Sequence, residues 1–344
     1  MSYFSNIERS LIIAEIGVNH NGDMVLAKRM IEEAKRCGAD AVKFQTYKSE
    51  KLARVSTPKV NYQQETTSSD ESHFQMLQSL ELSPRDHRNL KDFSDSLDID
   101  FLSTPYDKAS AKFLFELGVK MFKTASADIV DLPLHRYIAS TGLPVIIATG
   151  MASLGEIESL LTIYEDAKHE DVVLLHCVSN YPCSDESINL RAMKVLENAF
   201  NVSVGYSDHS QGSVAAIIAA GMGAKVIEKH FTLDQSMDGP DHKASSTPNE
   251  FFDLVKGVRR AEIILGEKRK RMQSEERQMS QVSRKSAVFN RDMKKGERLD
   301  WEDLDMMRPS GGLNGKDLIC IEGMPLRSDV CKGHQLKMSD IDGK

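Results

Sequence analysis

The sequence predicts an α/β protein: a closed (β/α)8 TIM barrel followed by a small β-rich domain. Eight short apolar runs recur along the chain, each followed by helical periodicity. Strands that alternate with helices form parallel βα units, and eight such units within about 270 residues suit a closed barrel better than an open sheet. With 344 residues and 40% apolar composition, the chain can bury a core of that size and carry a second, smaller domain.

The strands are expected at 11–16, 41–44, 100–102, 121–123, 145–148, 172–175, 202–205 and 226–227. Helix ends are legible between them. Asp23 can cap a helix whose Leu26, Ala27, Met30, Ile31 and Ala34 form one apolar stripe stopped by Gly38. Ser83-Pro84 supplies a cap and a first-turn proline, while Ser153 with Glu156 and Thr247 with Glu250 have capping-box spacing. Residues 48–82 intervene between the second strand and its helix without an apolar strand of their own, and so long a loop at the active face points to function. The barrel should span 1–267, a solvated linker 268–283, and the small domain 284–344. Within that domain the stretch from Lys295-Gly296 to Leu304 is echoed by Lys332-Gly333 to Ile341, a short pseudo-repeat.

A net charge of -7 argues against nucleic acid as the main partner. Five scattered cysteines without CxxC spacing indicate free thiols rather than disulfides or a zinc cluster. No apolar run approaches the roughly 20 residues of a membrane span, and the polar start lacks a signal-peptide pattern, so a cytoplasmic location is expected.

Polar residues collect at the strand ends: Glu15, Lys43, Gln45, Ser103-Thr104, Lys123, Ser126, Thr149, His176, Ser207 to His209 and Glu228 to His230. In a barrel these ends meet at one mouth. His209 and His230, on successive strand tips, suit a divalent metal, whereas lone His176 suits a structural hydrogen bond. Lys43 inside an apolar strand needs a partner, either Glu15 or a bound anion. Glu15, partly desolvated, is a candidate general base.

Together these segments resemble the sialic acid synthase family of N-acetylneuraminate and related nonulosonic acid synthases. The passages that carry the resemblance include Glu15-Ile16-Gly17-Val18-Asn19-His20-Asn21-Gly22, Lys43-Phe44-Gln45-Thr46, Thr149-Gly150-Met151, Tyr181-Pro182, Gly205-Tyr206-Ser207-Asp208-His209, Glu228-Lys229-His230-Phe231 and Gly239-Pro240-Asp241-His242. They run in family order across the barrel. The segment from Arg284-Lys285-Ser286 to Arg308-Pro309 resembles the family's antifreeze-like (SAF) domain.

The resemblance implies condensation of phosphoenolpyruvate with the open-chain aldehyde of an N-acylated mannosamine-type sugar, with release of phosphate. N-Acetylmannosamine, giving N-acetylneuraminate, is the first expectation. Its alternatives are legionaminate synthesis from 2,4-diacetamido-2,4,6-trideoxymannose and, behind it, pseudaminate synthesis. By motif position His209 and His230 would bind the metal, Mn²⁺ before Mg²⁺ or Co²⁺. Lys43, Thr104, Lys123, Ser126 and Ser207 would bind phosphoenolpyruvate; Gln45, Tyr181 and Asp241 would bind the sugar; and Glu15, with Asp128 second, would move the proton. The resemblance also implies a domain-swapped homodimer in which Arg308 reaches the partner's barrel.

Three positions depart from the family pattern. Ser126-Ala127-Asp128 replaces Ser-Gly-Glu, Ala148 replaces the serine of Ser-Thr-Gly-Met, and Thr66-Thr67 stands where an asparagine is usual. Two other classes compete, a metal-dependent barrel hydrolase and a noncatalytic carbohydrate-binding protein.

Overall fold

A computed structural model describes residues 3–59 and 71–343; the Thr66-Thr67 departure lies outside them. The chain divides into two compact units, Met1–Gly266 and Glu267–Lys344.

The first unit is an eight-stranded parallel barrel. Its strands are β1 (Leu11–Gly17), β2 (Ala41–Thr46), β3 (Asp100–Pro105), β4 (Phe122–Thr124), β5 (Val145–Ala148), β6 (Val172–His176), β7 (Ser203–Asp208) and β8 (Val226–His230). Parallel ladders run β3-β2-β1-β8-β7-β6-β5-β4, and the two end strands lie against each other. All eight expected strands form. Several extend beyond the expected apolar runs, because their polar ends continue the ladder into the barrel mouth.

Side-chain alternation sorts each strand into two faces. Leu11 and Ile13 of β1 point inward at the base with Ala41, Leu102, Met121, Ile146, Val173, Leu175 and Val226. Phe4, on the short helix Tyr3–Asn6, closes that layer from below. Outward residues such as Ile12, Ala14, Val42 and Phe44 pack on the helices. Continuing the alternation upward brings Glu15, Lys43, Gln45, Thr104, Lys123, Ser207, Glu228 and His230 to the inner wall of the mouth. Gly205 occupies an inward position where a Cβ would lie 2.5 Å from the Val226 carbonyl, so glycine lets β7 and β8 close tightly.

The helix ends follow the expected chemistry. Asp23 accepts from the Val25 and Leu26 amides to start the helix Met24–Arg36, which buries Ala27, Met30, Ile31 and Ala34. Capping boxes at Ser83/Asp86 and Ser153/Glu156 open Pro84–Ser96 and Leu154–Asp166, and the Glu250 carboxylate accepts from Thr247 at the start of Pro248–Leu265. The long segment after β2 carries helices Ser49–Leu52 and His73–Ser79 among its described residues.

On the outer face of the β7–β8 pair, Lys229 Nζ lies 2.9 Å from Asp208 Oδ2 with both side chains almost fully buried. Asp208 Oδ1 also accepts from the Ser210 amide and hydroxyl and from the Tyr206 hydroxyl. This pair lies between the inward residues Ser207 and His209 on one strand end and Glu228 and His230 on the other.

The second unit has an antiparallel pair, Ser286–Phe289 with Leu304–Met307, over a core that includes Ala287, Phe289, Met293, Leu318, Val330 and Leu336. The pseudo-repeat is structural. Each copy has a glycine with positive φ, Gly296 or Gly333, followed by a 3-10 turn, Trp301–Asp303 or Met338–Asp340. The residues two before each copy, Met293 and Val330, pair in an antiparallel bridge. The expected linker includes a short helix, Arg277–Ser283, that buries no residue. All five cysteines are free thiols, and no helix among the described residues is long and apolar enough to cross a membrane.

Replacing Asp208 by alanine strands a buried ammonium, and should cost about 3–5 kcal/mol of unfolding free energy in urea titration. A loss below about 1 kcal/mol would show the outer ion pair to be dispensable.

Candidate functional site

A cavity of about 1200 Å³ opens at the C-terminal ends of the strands. Its floor is a chain of buried charges. Lys43 Nζ is 2.5 Å from Glu15 Oε2 and 3.6 Å from Glu228 Oε2, while Lys123 Nζ is 3.3 Å from Glu228 Oε1. Thr104 Oγ1 accepts from Lys43 at 3.2 Å, and the Ser207 hydroxyl donates to Glu228 at 2.9 Å. None of the four charged side chains is more than 6% exposed.

The two carboxylates titrate in opposite directions. Burial pushes the Glu15 carboxyl above the usual range, with Lys43 opposing and Glu228 adding to the rise. Burial also works on Glu228, but Lys123, Lys43 and the Ser207 hydrogen bond outweigh it and hold Glu228 below that range. Glu228 is therefore the permanent counter-charge. Glu15 is the exchangeable one, and when it is protonated Lys43 and Lys123 leave the floor net positive.

His209 and His230 face one another across the wall at 5.5 Å between ring centroids, and Tyr181 packs against both. His209 Nδ1 donates to the Val178 carbonyl at 2.7 Å, which leaves Nε2 unprotonated, 3.3 Å from the Ser207 hydroxyl. Burial holds His209 down to about 4 and, together with His209 and Lys43, holds His230 well below its ordinary value. Both imidazoles are thus neutral at pH 7, the form that coordinates metal. His230 Nδ1 is buried without a hydrogen-bond partner, 3.7 Å from Asp241 Oδ2. These donors fit a divalent ion with two protein nitrogens. Among the described residues no group of three or more His, Cys, Asp or Glu forms a fuller cage, so water and substrate would complete such a shell.

The other expected residues divide. Gln45, Ser126, Tyr181 and Asp241 line the same cavity. Gln45 Nε2 lies 3.5 Å from Glu15 Oε1, and the Gly150 amide donates to Ser126 Oγ at 3.0 Å. Burial raises the Asp241 carboxyl to about 6 against the pull of Lys43. Asp128 sits on the 3-10 turn Ser126–Val130 beside the cavity, but its carboxyl is not on the wall. Arg308 belongs to the second unit, where it is exposed. His176 bonds to the Ile188 carbonyl at 2.7 Å and stacks on Tyr206, as expected of a structural histidine.

Glu228 stood among the expected strand-end residues of the mouth, but without an assigned role. The signal was present: in Glu228-Lys229-His230, strict alternation puts Glu228 on the face of His230 and turns Lys229 outward. Tyr106 and Cys177, also on the wall, follow from the same rule applied past the ends of β3 and β6.

A family model for the NeuB family matches residues 30–270. The chain is 42% identical to the N,N'-diacetyllegionaminic acid synthase of Legionella pneumophila, over 96% of this chain and 94% of that one. It is 44% identical to the enzyme of the same name from Campylobacter jejuni, over 90% and 93%. Among solved structures, the N-acetylneuraminic acid synthetase of Leptospira borgpetersenii, in complex with citrate, superposes with a TM-score of 0.70 at 36% identity, over 79% and 90%.

Asp128 supplies a test of the electrostatics. Burial, then Asp131, raise its carboxyl from 3.8 to about 7, with Lys123 opposing. The folded state therefore holds this proton more tightly, and the stability it contributes is present at low pH and lost as pH rises through about 7. Asp128→Asn should raise the thermal midpoint at about pH 8 and leave it near the wild-type value at about pH 4. Equal shifts at both would exclude this carboxyl as the cause. On its motif order, its barrel and its sequence relatives, the chain belongs to the NeuB family, the sialic acid synthase-like enzymes.

Proposed function

We propose that this protein is a legionaminate-type nonulosonic acid synthase, condensing phosphoenolpyruvate with open-chain 2,4-diacetamido-2,4,6-trideoxymannose. The observation that carries the chemistry is the placement of two neutral histidines beside two buried lysines in one cavity. The choice of sugar rests on relatives at 42% and 44% identity named as diacetyllegionaminic acid synthases, against 36% for the N-acetylneuraminic acid synthetase. This reverses the order expected from the sequence, in which N-acetylmannosamine came first. A hydrolase using metal-bound water would leave Lys43 and Lys123 without a task.

In this reading Lys43 and Lys123, with Thr104, Ser126 and Ser207, hold the carboxylate and phosphate of phosphoenolpyruvate. Gln45, Tyr181 and Asp241 orient the sugar. His209 and His230 would hold the divalent ion, Mn²⁺ first, which when bound polarises the sugar aldehyde as a Lewis acid. C3 of phosphoenolpyruvate attacks the aldehyde carbon, whose oxygen takes the proton carried by Glu15 to become the new hydroxyl, and C2 is left cationic. Water adds to C2 as the Glu15 carboxylate takes one of its protons, and the tetrahedral intermediate becomes the C2 ketone as its C–O bond to phosphate breaks and the remaining hydroxyl proton leaves with the phosphate. Asp128, off the wall, has no direct part.

The second unit is assigned on its motifs to the antifreeze-like type. It would deliver Arg308 to the sugar's acyl group across a domain-swapped homodimer.

With phosphoenolpyruvate and Mn²⁺, phosphate release should show a kcat/KM at least about tenfold higher for the trideoxy sugar than for N-acetylmannosamine. No release with either sugar would end the proposal. Glu15→Gln should lower kcat by about 10²–10⁴-fold, and an undiminished kcat would move the proton transfer to another group. Mixing inactive Arg308→Ala and Glu15→Gln chains should restore activity by subunit exchange, since one site of the mixed dimer then holds an intact barrel and an intact Arg308. A mixture as inactive as its components would exclude the swap.

A further inference from the structure

The segment Asn19-His20-Asn21-Gly22 begins two residues past the end of β1 and four past Glu15, yet none of its side chains lines the cavity. It reaches across the seam between β1 and β8 to the loop that leaves β8 and carries Asp241. Asn19 is fully buried. Its Nδ2 donates to the Phe231 carbonyl at 2.9 Å and to Ser245 Oγ at 2.8 Å, and the Ser245 hydroxyl donates to the Asp241 carbonyl at 2.6 Å. Asn21 grips the other side of the loop, with Nδ2 donating to the Asp238 carbonyl at 2.8 Å and Oδ1 3.3 Å from His242 Nε2. The tautomer that satisfies His242 has Nε2–H donating to Asn21 and Nδ1 accepting from the Thr232 hydroxyl at 2.6 Å.

Gly239 shows how closely the two loops meet. At its φ of +147° a Cβ would lie 2.7 Å from His242 Cδ2 and 2.8 Å from Asn21 Oδ1, so no side chain fits there. Pro240 and Asp241 are thus held between residues that are fixed on both flanks from β1. The chain enters this segment from β1, four residues after Glu15, and Glu15 pairs in register with His230.

We infer that Asn19 and Asn21 are positioning residues that hold the β8 loop so that Asp241 keeps its place relative to Glu15 and His230. The inference rests on the sugar-binding role proposed for Asp241. Its specific consequence is a split between substrates: loosening the loop weakens the sugar and spares phosphoenolpyruvate, whose lysines stand on other strands.

Asn21→Gly is the cleanest probe, because Asn21 has a φ of +51° that glycine adopts without strain. Its sugar KM should rise about tenfold, the scale of one or two net hydrogen bonds, while the phosphoenolpyruvate KM stays within about twofold. Asn21→Asp keeps the acceptor for His242 and should recover part of the loss. In an Asp241→Ala background Asn21→Gly should add nothing further, since both changes act through one carboxylate. Parallel rises in both KM values, or an undiminished effect in that background, would overturn the inference while leaving the function intact. Absence of turnover by the unsubstituted protein would remove both. If Asn21→Gly does not fold, His242→Gln carries the same comparison.

Discussion

The alternating buried charges Glu15, Lys43, Glu228 and Lys123 are the constraint on which the mouth of the barrel depends. Any one of them alone in this setting would cost several kcal/mol in lost hydration. Each is tolerable because a charge of opposite sign lies within 3.6 Å of it. β1 lies between β8 and β2 with Glu15 in register with both Lys43 and His230, Glu228 sits one inward position deeper on β8, and Lys123 reaches Glu228 from across the barrel. The result is a fixed, water-poor field that favours an anion above it without reorganising when the anion arrives. Because Glu228 is held ionised and Glu15 is not, one carboxylate maintains the lysines while the other is left to exchange a proton.

The same strands do a second task on their outer face. In β7 and β8 the inward residues Ser207, His209, Glu228 and His230 alternate with outward Asp208 and Lys229. A slip of one residue would send both histidines outside and bring Asp208 and Lys229 into the cavity. The outer ion pair therefore favours the register that the inner site requires. A polar residue buried behind the wall is as much a part of the site's geometry as one on it.

Most of the barrel was legible because its signal is repeated: apolar runs of strand length, capping residues before several helices and glycines after some of them. The strand ends were less legible. In Val226-Ile227-Glu228-Lys229-His230 only two residues are apolar, and a rule based on apolar runs stops there, although the ladder continues to His230. Glu228 was therefore placed just beyond the expected strand, counted among the residues of the mouth but given no role in it. The choice of sugar was legible least of all. Thr66-Thr67, the departure that bears most on that choice, lies outside the described residues.

Glu15 and Asp128 show why a perturbed carboxyl is insufficient to identify a proton-transfer group. Both are raised by burial, and both stand near a lysine of the mouth. What separates them is direction. Glu15 lies on an inward position of β1, beside Gln45 and level with His230, with its side chain on the cavity wall. Asp128 lies one turn past β4 on a 3-10 segment that carries its carboxyl off the wall, beside Asp131. Its side chain, one methylene shorter than the family's glutamate, shortens its reach at the position where reach matters. Desolvation tunes a group for proton transfer, but only the alternation of a strand aims it at the substrate.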